Sequence, residues 1–129
     1  MSSAFDLTGR RALVTGGATG IGEGIALGLA AAGADVAVTY RSHQPEETLA
    51  RIRSEGRQAA AVKADFTDLD QGGAEEIVGF AEDALGGLDI LVNNAGIIHR
   101  EDSTELALSD WQRVLSVNLD SVWLLSQAA

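Results

Sequence analysis

The feature that most constrains the fold is a glycine-rich segment between a short apolar run and a helical pattern. Residues 15–22 read Thr-Gly-Gly-Ala-Thr-Gly-Ile-Gly, directly after the apolar residues 12–14. Glycines at such a junction allow a sharp turn and let another molecule approach the backbone without a Cβ in the way. A helix that begins there offers free N–H groups and a partial positive charge, which suit a phosphate. The segment predicts an anion-binding turn, although a tight strand-to-helix connection without a ligand needs the same glycines.

The glycine spacing separates this turn from two better-known phosphate loops. It is G-x-x-x-G-x-G, whereas the commoner dinucleotide fingerprint is G-x-G-x-x-G. No Gly-Lys-Ser/Thr follows, so the loop of the Walker nucleotide-binding proteins is excluded.

Short apolar runs alternate with helix-period stretches along the rest of the chain. Strands are predicted over 12–14, 36–40, 59–62 and 88–92, and helices over about 21–32, 45–54, 74–85 and 109–129. The predicted buried face of the first helix is Ile21, Ile25, Gly28, Leu29 and Ala32. That of the third is Ala74, Ile77, Val78, Ala81 and Leu85. That of the last is Trp111, Val114, Leu115, Asn118, Val122 and Leu125.

This alternation predicts the fold class. Strands separated by helices pair in parallel through right-handed crossovers, so we expect an α/β, doubly wound parallel sheet with flanking helices. A complete dinucleotide-binding fold has about six strands, whereas four are predicted here. Residues 1–129 are therefore interpreted as a partial, truncated dinucleotide-binding domain.

Composition excludes several classes of function. Nine Lys and Arg against 19 Asp and Glu give a net charge of −10, which disfavours nucleic acid and anionic membrane surfaces as partners. The absence of cysteine excludes disulfides and thiolate chemistry. Two histidines are too few for a His-rich metal centre, so no metal site is expected. With no secretory signal and no apolar run of ~20 residues, a cytoplasmic location is expected.

Four segments, in order and at matching intervals, resemble the short-chain dehydrogenase/reductase family. They are the TGxxxGxG loop at 15–22, Asp65 after the third strand, the NNAG segment at 93–96, and Asn118 in the last helix. The likeness extends from about residue 7 to residue 129. It implies a Rossmann-like fold, NAD or NADP as cofactor, a small-molecule substrate whose hydroxyl and carbonyl forms are interconverted, and a homo-oligomer, either a tetramer or a dimer.

The resemblance also implies which residues contact the cofactor. They are Gly16, Thr19, Gly20, Ile21, Gly22, Arg41, Asp65, Phe66, Asn93, Ala95 and Gly96. The Asp65 carboxylate can accept a hydrogen bond from an adenine amino group, and it can equally cap a turn before Thr67. The second strand ends in Tyr40-Arg41-Ser42 with no acid for a ribose 2′-hydroxyl, so Arg41 slightly favours NADP. A solvated surface arginine is the alternative.

Asn118 is expected to be the catalytic residue of this chain, because the family places an asparagine of its catalytic set there. It interrupts an otherwise apolar stripe, and a buried amide without partners costs roughly 1–3 kcal/mol. We therefore expect it to bond to backbone or water inside the protein. A structural amide bonding across a helix kink remains the other interpretation.

The loop after the NNAG segment resembles the gluconate branch of the family, the 2-deoxy-gluconate and 2-dehydro-3-deoxy-gluconate dehydrogenases. Residues 97–102 carry the likeness. Arg100 can pair with a sugar-acid carboxylate, and His99 beside it is the second candidate for substrate contact. The alternatives are that both are solvated, or that Glu101 and Asp102 occupy Arg100. A 3-oxoacyl-carrier reductase shares every other motif.

The proton-transfer group of the family, a Ser with Tyr-x-x-x-Lys, is not found in this sequence. Its single tyrosine, Tyr40, and single lysine, Lys63, match neither position. We therefore expect the 129-residue chain to be inactive alone, and a silent nucleotide-binding or interaction module is the alternative to an enzyme half. An exposed fourth strand and last helix are also expected, with Trp111, Trp123 and Leu125 favouring self-association.

Overall fold

A computed structural model describes residues 3–129 and confirms the alternation of strands and helices. The elements are β1 (Arg11–Val14), α1 (Gly20–Ala31), β2 (Asp35–Tyr40), α2 (Glu46–Ser54), β3 (Ala59–Lys63), α3 (Gln71–Leu85), β4 (Ile90–Val92), α4 (Leu108–Leu115), a π-helical turn (Ser116–Asp120) and α5 (Ser121–Ala128). The fourth strand is shorter than predicted, and the predicted last helix is divided by the π-helical turn.

All four strands are parallel and lie in the order β3-β2-β1-β4. β1 pairs with β2 on one side and with β4 on the other, with Ala12 opposite both Val36 and Ile90. The chain moves outward from β1 to β3 and then returns to the far side of β1. Because every strand runs the same way, the segments that follow the four strands meet at one edge, where α/β folds bind their ligands.

Helices cover both faces of the sheet. On one face, α1 and α2 pack against β1 and β2, and the fully buried residues there are Val14, Ala26, Ala34, Val36, Val38 and Ile52. On the other face, α3 and α5 pack against Leu13 and Ala37 of the same strands. The central strands are therefore apolar on both sides, as the continuous apolar runs predict.

Helix α3 buries the predicted face. Ala74, Ile77, Val78, Ala81 and Leu85 are all buried. Its glycine-containing start is stabilised by Asp70, whose carboxylate accepts a hydrogen bond from the Gly73 N–H at 2.7 Å.

The predicted buried face of α1 is confirmed at Ile25 and Leu29, which pack against the core, but it is wrong at Ile21 and Gly28. Ile21 is 79% exposed, whereas Gly22, Ala26 and Ala30 are buried. A Cβ on Gly22 would overlap the Gly16 carbonyl oxygen, so α1 meets the glycine-rich turn through a residue without a side chain. This close approach rotates Ile21 away from the sheet.

The predicted stripe of the last helix is confirmed at Leu125 but wrong at Trp111 and Asn118. Val117, Ser121 and Leu125 are buried, whereas Trp111 is 53% exposed and Asn118 is exposed. A π-helical turn holds more residues per turn than an α-helix, so it changes which positions face the sheet.

The face of α4 and α5 that points away from the sheet carries large apolar side chains. Trp123 is 67% exposed, and Leu108 and Leu119 are exposed as well. The two tryptophans are exposed as expected, but Leu125, on the inner side of α5, is fully buried and belongs to the core. Within residues 3–129, no helix has the length and apolar character needed to cross a membrane.

Candidate functional site

A cavity of about 380 Å³ opens at the edge of the sheet where the strands end. Ten of the eleven predicted cofactor-contacting residues line it, and Asn93 is the exception. The ten are Gly16, Thr19, Gly20, Ile21, Gly22, Arg41, Asp65, Phe66, Ala95 and Gly96. Segments that follow all four strands thus form one concave surface, of a size typical for small-molecule sites.

The glycine-rich turn is held in place by β2. Gly16 donates its N–H to the Thr39 hydroxyl oxygen at 3.0 Å, and Gly17 donates its N–H to the Thr39 carbonyl oxygen at 3.1 Å. Gly16 has a φ of +63° and Gly20 a φ of +55°, a region that favours glycine. The hydrogen bonds to β2 and the left-handed glycines therefore define the shape of the turn.

The N-terminus of α1 points its first residues at the cavity. Thr19 has extended backbone angles, and its side chain makes no capping hydrogen bond with the residues that the structure describes. The first N–H groups of a helix lack partners inside the helix, so those of Gly20, Ile21 and Gly22 can bind an anion. A Cβ on Gly20 would have no described atom within 4 Å, which leaves open space in front of the turn.

Asn94, which belongs to the NNAG segment but not to the predicted cofactor-contacting residues, connects β4 to the glycine-rich turn. Its amide nitrogen donates to the carbonyl oxygens of Thr15 at 3.0 Å and Gly16 at 3.2 Å. The buried Thr15 hydroxyl oxygen accepts from the N–H groups of Asn94 and Ala95. The sequence signal for this role is the pair of consecutive asparagines. Neighbouring residues of an extended chain point to opposite sides, so one of the two must face the glycine-rich turn.

Asn93 faces away from the cavity. Its amide nitrogen lies 3.3 Å from the Ser126 hydroxyl oxygen on α5, and it donates a hydrogen bond there. The Asn93 side chain therefore does not join the other predicted cofactor-contacting residues in lining the cavity, and cofactor contact at this residue stays a prediction. The strand alternation that turns Asn94 toward the glycine-rich turn sends Asn93 toward α5.

Asp65 both caps a turn and lines the cavity, so its two predicted placements coexist. Its carboxylate accepts from the Thr67 hydroxyl at 2.7 Å and from the Thr67 N–H at 2.9 Å. These hydrogen bonds lower the pKa of Asp65 by more than burial raises it, and the guanidinium groups of Arg41 and Arg113 add smaller lowering effects. An ionised hydrogen-bond acceptor therefore lies beside Arg41 at this end of the cavity.

His43 is a second cavity residue that the sequence analysis did not select. It lines the cavity with Arg41 and Ser42, in the segment that follows β2. An imidazole ring and a guanidinium group therefore accompany the α1 N-terminus. This local arrangement suits an anion despite the chain's net charge of −10.

Asn118 lies in the π-helical turn and bonds to the loop that follows β4. Its Oδ1 accepts the Ile97 N–H at 2.8 Å, and its Nδ2 donates to the Ile97 carbonyl oxygen at 2.8 Å. The bonds to backbone are as expected, although the side chain is exposed rather than buried. Gly96 and Ile97 line the cavity, whereas Asn118 does not. Asn118 therefore holds the Gly96–Ile97 wall in place without lining the cavity itself.

His99 and Arg100 lie on the same loop but do not line the cavity. His99 Nε2 is 2.8 Å from a carboxylate oxygen of Glu101 and 3.9 Å from one of Asp110. Arg100 is exposed. The structure thus groups His99 with acidic residues, apart from the predicted cofactor-contacting residues.

Comparisons with known proteins agree with this geometry. The short chain dehydrogenase family profile matches residues 10–129. The chain is 44% identical to a 2-dehydro-3-deoxy-D-gluconate 5-dehydrogenase of Escherichia coli K12, covering 98% of this chain and 49% of the relative. It is 38% identical to a 3-oxoacyl-[acyl-carrier-protein] reductase of Synechocystis sp. PCC 6803, covering 95% of this chain and 49% of that relative.

A solved structure extends the likeness to three dimensions. A short chain dehydrogenase from Burkholderia cenocepacia J2315, crystallised in complex with NADP, superposes with a TM-score of 0.91 at 46% identity, covering 96% of this chain and 51% of that one. The chain spans about half the length of these relatives. With its ordered glycine-rich turn, its parallel sheet and a profile match over nearly its whole length, the chain belongs to the short-chain dehydrogenase/reductase family.

Proposed function

We propose that this chain is the cofactor-binding half of an NADP(H)-dependent oxidoreductase that interconverts a hydroxyl and a carbonyl group. One observation carries the proposal. The glycine-rich turn and the uncapped N-terminus of α1 face a cavity of about 380 Å³, at the edge of the sheet where α/β folds bind dinucleotides.

The cavity residues fit the parts of a dinucleotide. The N–H groups of 20–22 would hold the diphosphate, and open space lies in front of Gly20. Asp65, with Phe66 beside it, would accept a hydrogen bond from the adenine amino group. The small residues Ala95 and Gly96 leave room for the ribose at the opposite end.

Arg41 supports NADP rather than NAD. It lines the cavity just after β2, where an acidic residue would bind a ribose 2′-hydroxyl and a cation would bind a 2′-phosphate. Neither Ser42 nor His43, the next two residues, is acidic. The B. cenocepacia relative, which shares the fold, was crystallised with NADP.

Bound NADP(H) would supply the hydride, while the residues of this chain position the cofactor. Asn118 holds Ile97 and thereby the wall beside Ala95 and Gly96. Tyr40 on β2 and Lys63 on β3 are register partners, and their strands lie two and three positions from β4 in the sheet. They are thus at the wrong end of the cavity for proton transfer near residues 95–97, and the 129-residue chain alone should not turn over substrate.

We further propose that the substrate is a sugar acid of the deoxy-gluconate type. The E. coli relative named for such a substrate is 44% identical to this chain, whereas the 3-oxoacyl carrier reductase is 38% identical. The reductase is the second candidate. A small-molecule substrate and a homo-oligomer are expected in either case.

Fluorescence titration with NADPH and NADH tests the cofactor assignment. Charge-assisted hydrogen bonds contribute about 1.5–3 kcal/mol, so Arg41→Gln should weaken NADPH binding about 10- to 150-fold. NADH binding should change little. Arg10→Gln, an exposed arginine outside the cavity, is the matched control. Equal affinities for both cofactors in the parent chain would refute the NADP assignment, and measurable turnover would refute the predicted inactivity.

A further inference from the structure

A second cluster of ligand-forming side chains lies outside the proposed cofactor cavity. His99 and Glu101 come from the loop after β4, and Asp110 comes from the first turn of α4. One ligand atom from each of the three side chains lies within 4.8 Å of the other two. The loop between them folds back at Asp102, whose carbonyl oxygen accepts the N–H groups of Glu105 and Leu106.

The spacing of these atoms suits a single bound ion. His99 Nε2 is 2.8 Å from Glu101 Oε1 and 3.9 Å from Asp110 Oδ2. Metal bonds of about 2.0–2.2 Å place neighbouring ligand atoms roughly 3.0–3.5 Å apart. Two of the distances lie on either side of that range and the Glu101–Asp110 separation is within 4.8 Å, so rotations of these partly exposed side chains would bring all three atoms around one ion.

The local charge also favours a cation. Within residues 3–129, the only ion-pair partner of Glu101 and of Asp110 is His99. A neutral imidazole with two carboxylates carries a charge of −2, on a chain whose net charge is already −10. A divalent ion would neutralise the cluster.

We propose that His99, Glu101 and Asp110 bind a divalent transition-metal ion of the zinc type. An imidazole with two carboxylates selects such an ion over Mg²⁺, which prefers oxygen ligands alone. Three protein ligands leave a coordination position for water. The ion would hold the loop after β4 against α4. His99 would then be a metal ligand rather than a substrate-contacting residue.

Isothermal titration calorimetry of the chelator-treated 129-residue chain with Zn²⁺ and with Mg²⁺ tests this site. One Zn²⁺ per chain should bind, with Mg²⁺ binding much more weakly. Because loss of even an outer-shell partner weakens metal binding about 10- to 100-fold, His99→Ala and Asp110→Asn should each weaken Zn²⁺ binding by at least that much. His43→Ala removes the other histidine and should leave the binding unchanged.

Two further measurements separate the site from general attraction to an acidic surface. Circular dichroism spectra of His99→Ala and Asp110→Asn should match the parent spectrum, so that lost binding reports lost ligands. Glu105→Gln removes a neighbouring carboxylate outside the cluster and should not change the affinity. Absence of stoichiometric Zn²⁺ binding would overturn the proposal, as would equal binding of Zn²⁺ and Mg²⁺ or an affinity indifferent to His99→Ala.

Discussion

Asn118→Ala is the substitution that most directly examines how the π-helical turn supports the cavity. The Asn118 amide makes two hydrogen bonds of 2.8 Å to one residue, accepting the Ile97 N–H and donating to the Ile97 carbonyl. Alanine removes both bonds and adds no new steric contact. The loop after β4 then loses its side-chain attachment to the turn between α4 and α5.

The two bonds set the expected size of the effect. A typical intramolecular hydrogen bond contributes about 0.5–1.5 kcal/mol net, so losing two should lower the free energy of unfolding by about 1–3 kcal/mol. Asn118 is exposed, and water can replace part of each bond, which favours the lower half of this range. Because Gly96 and Ile97 line the cavity, NADPH binding should weaken as well.

Urea unfolding followed by circular dichroism measures the first effect, and NADPH fluorescence measures the second. Asn93→Ala is the matched control, since it also removes an asparagine amide from the segment after β4. That amide makes one longer bond of 3.3 Å to Ser126 and lies outside the cavity. It should therefore lower the stability less and leave NADPH binding unchanged.

Two results would refute this reasoning. Asn118→Ala could equal the parent chain in both unfolding and NADPH binding, which would mean that the bonds to Ile97 do not hold the cavity wall. Asn93→Ala could weaken NADPH binding as much as Asn118→Ala, which would mean that the effect does not pass through Ile97.

Three other predictions test separate parts of the structure. Gly22→Ala places a Cβ against the Gly16 carbonyl and should abolish NADPH binding. Its control is Gly28→Ala, in open space on the same helix, which should raise the unfolding free energy by about 0.5–1 kcal/mol. Equal effects of the two variants on NADPH binding would contradict the close approach of α1 to the glycine-rich turn. Thr67→Val should raise the pKa of Asp65, seen by NMR titration. Since that pKa is lowered in the folded chain, Asp65 contributes stability above about pH 3.9, and this stability is lost as the pH falls. Thr67→Val should therefore lose less unfolding free energy than the parent chain on acidification. Asp70→Ala removes the α3 cap and should cost about 1 kcal/mol in urea unfolding, and an unchanged midpoint would contradict that role.

The fold could be predicted from the sequence because its signals are local and consistent. α3 shows this best, since its five regularly spaced apolar residues are the ones that become buried. The cavity could be predicted because parallel strands bring the residues that follow them to one edge, whatever their separation along the chain. The glycine-rich turn, Arg41 and Asp65 are far apart in sequence and line one cavity.

The errors arose where close packing or an irregular helix overrides simple periodicity. Ile21 fits the helical spacing but is exposed, because the adjacent Gly22 makes the contact with the glycine-rich turn. Asn118 falls on the apolar stripe of a regular α-helix, and although a polar residue there is compatible with a helix kink, periodicity does not locate the π-helical turn. The bonds of Asn118 to Ile97 join residues 21 positions apart, which no local pattern records.

The orientation of the two neighbouring asparagines was the third difficulty. Asn93 and Asn94 are chemically identical, and only the direction of β4 decides which of them faces the glycine-rich turn. A shift of one residue at the end of a strand reverses this choice.

The central claim is that the glycine-rich turn binds a dinucleotide, and two-dimensional ¹H–¹⁵N NMR of the chain during NADPH titration tests it most directly. The account predicts saturable shifts in the amide signals of 16–22, 41–43 and 94–97, with little change in α2 and in the outer face of α3. Shifts confined to other segments, or a folded spectrum that NADPH leaves unchanged, would contradict the claim.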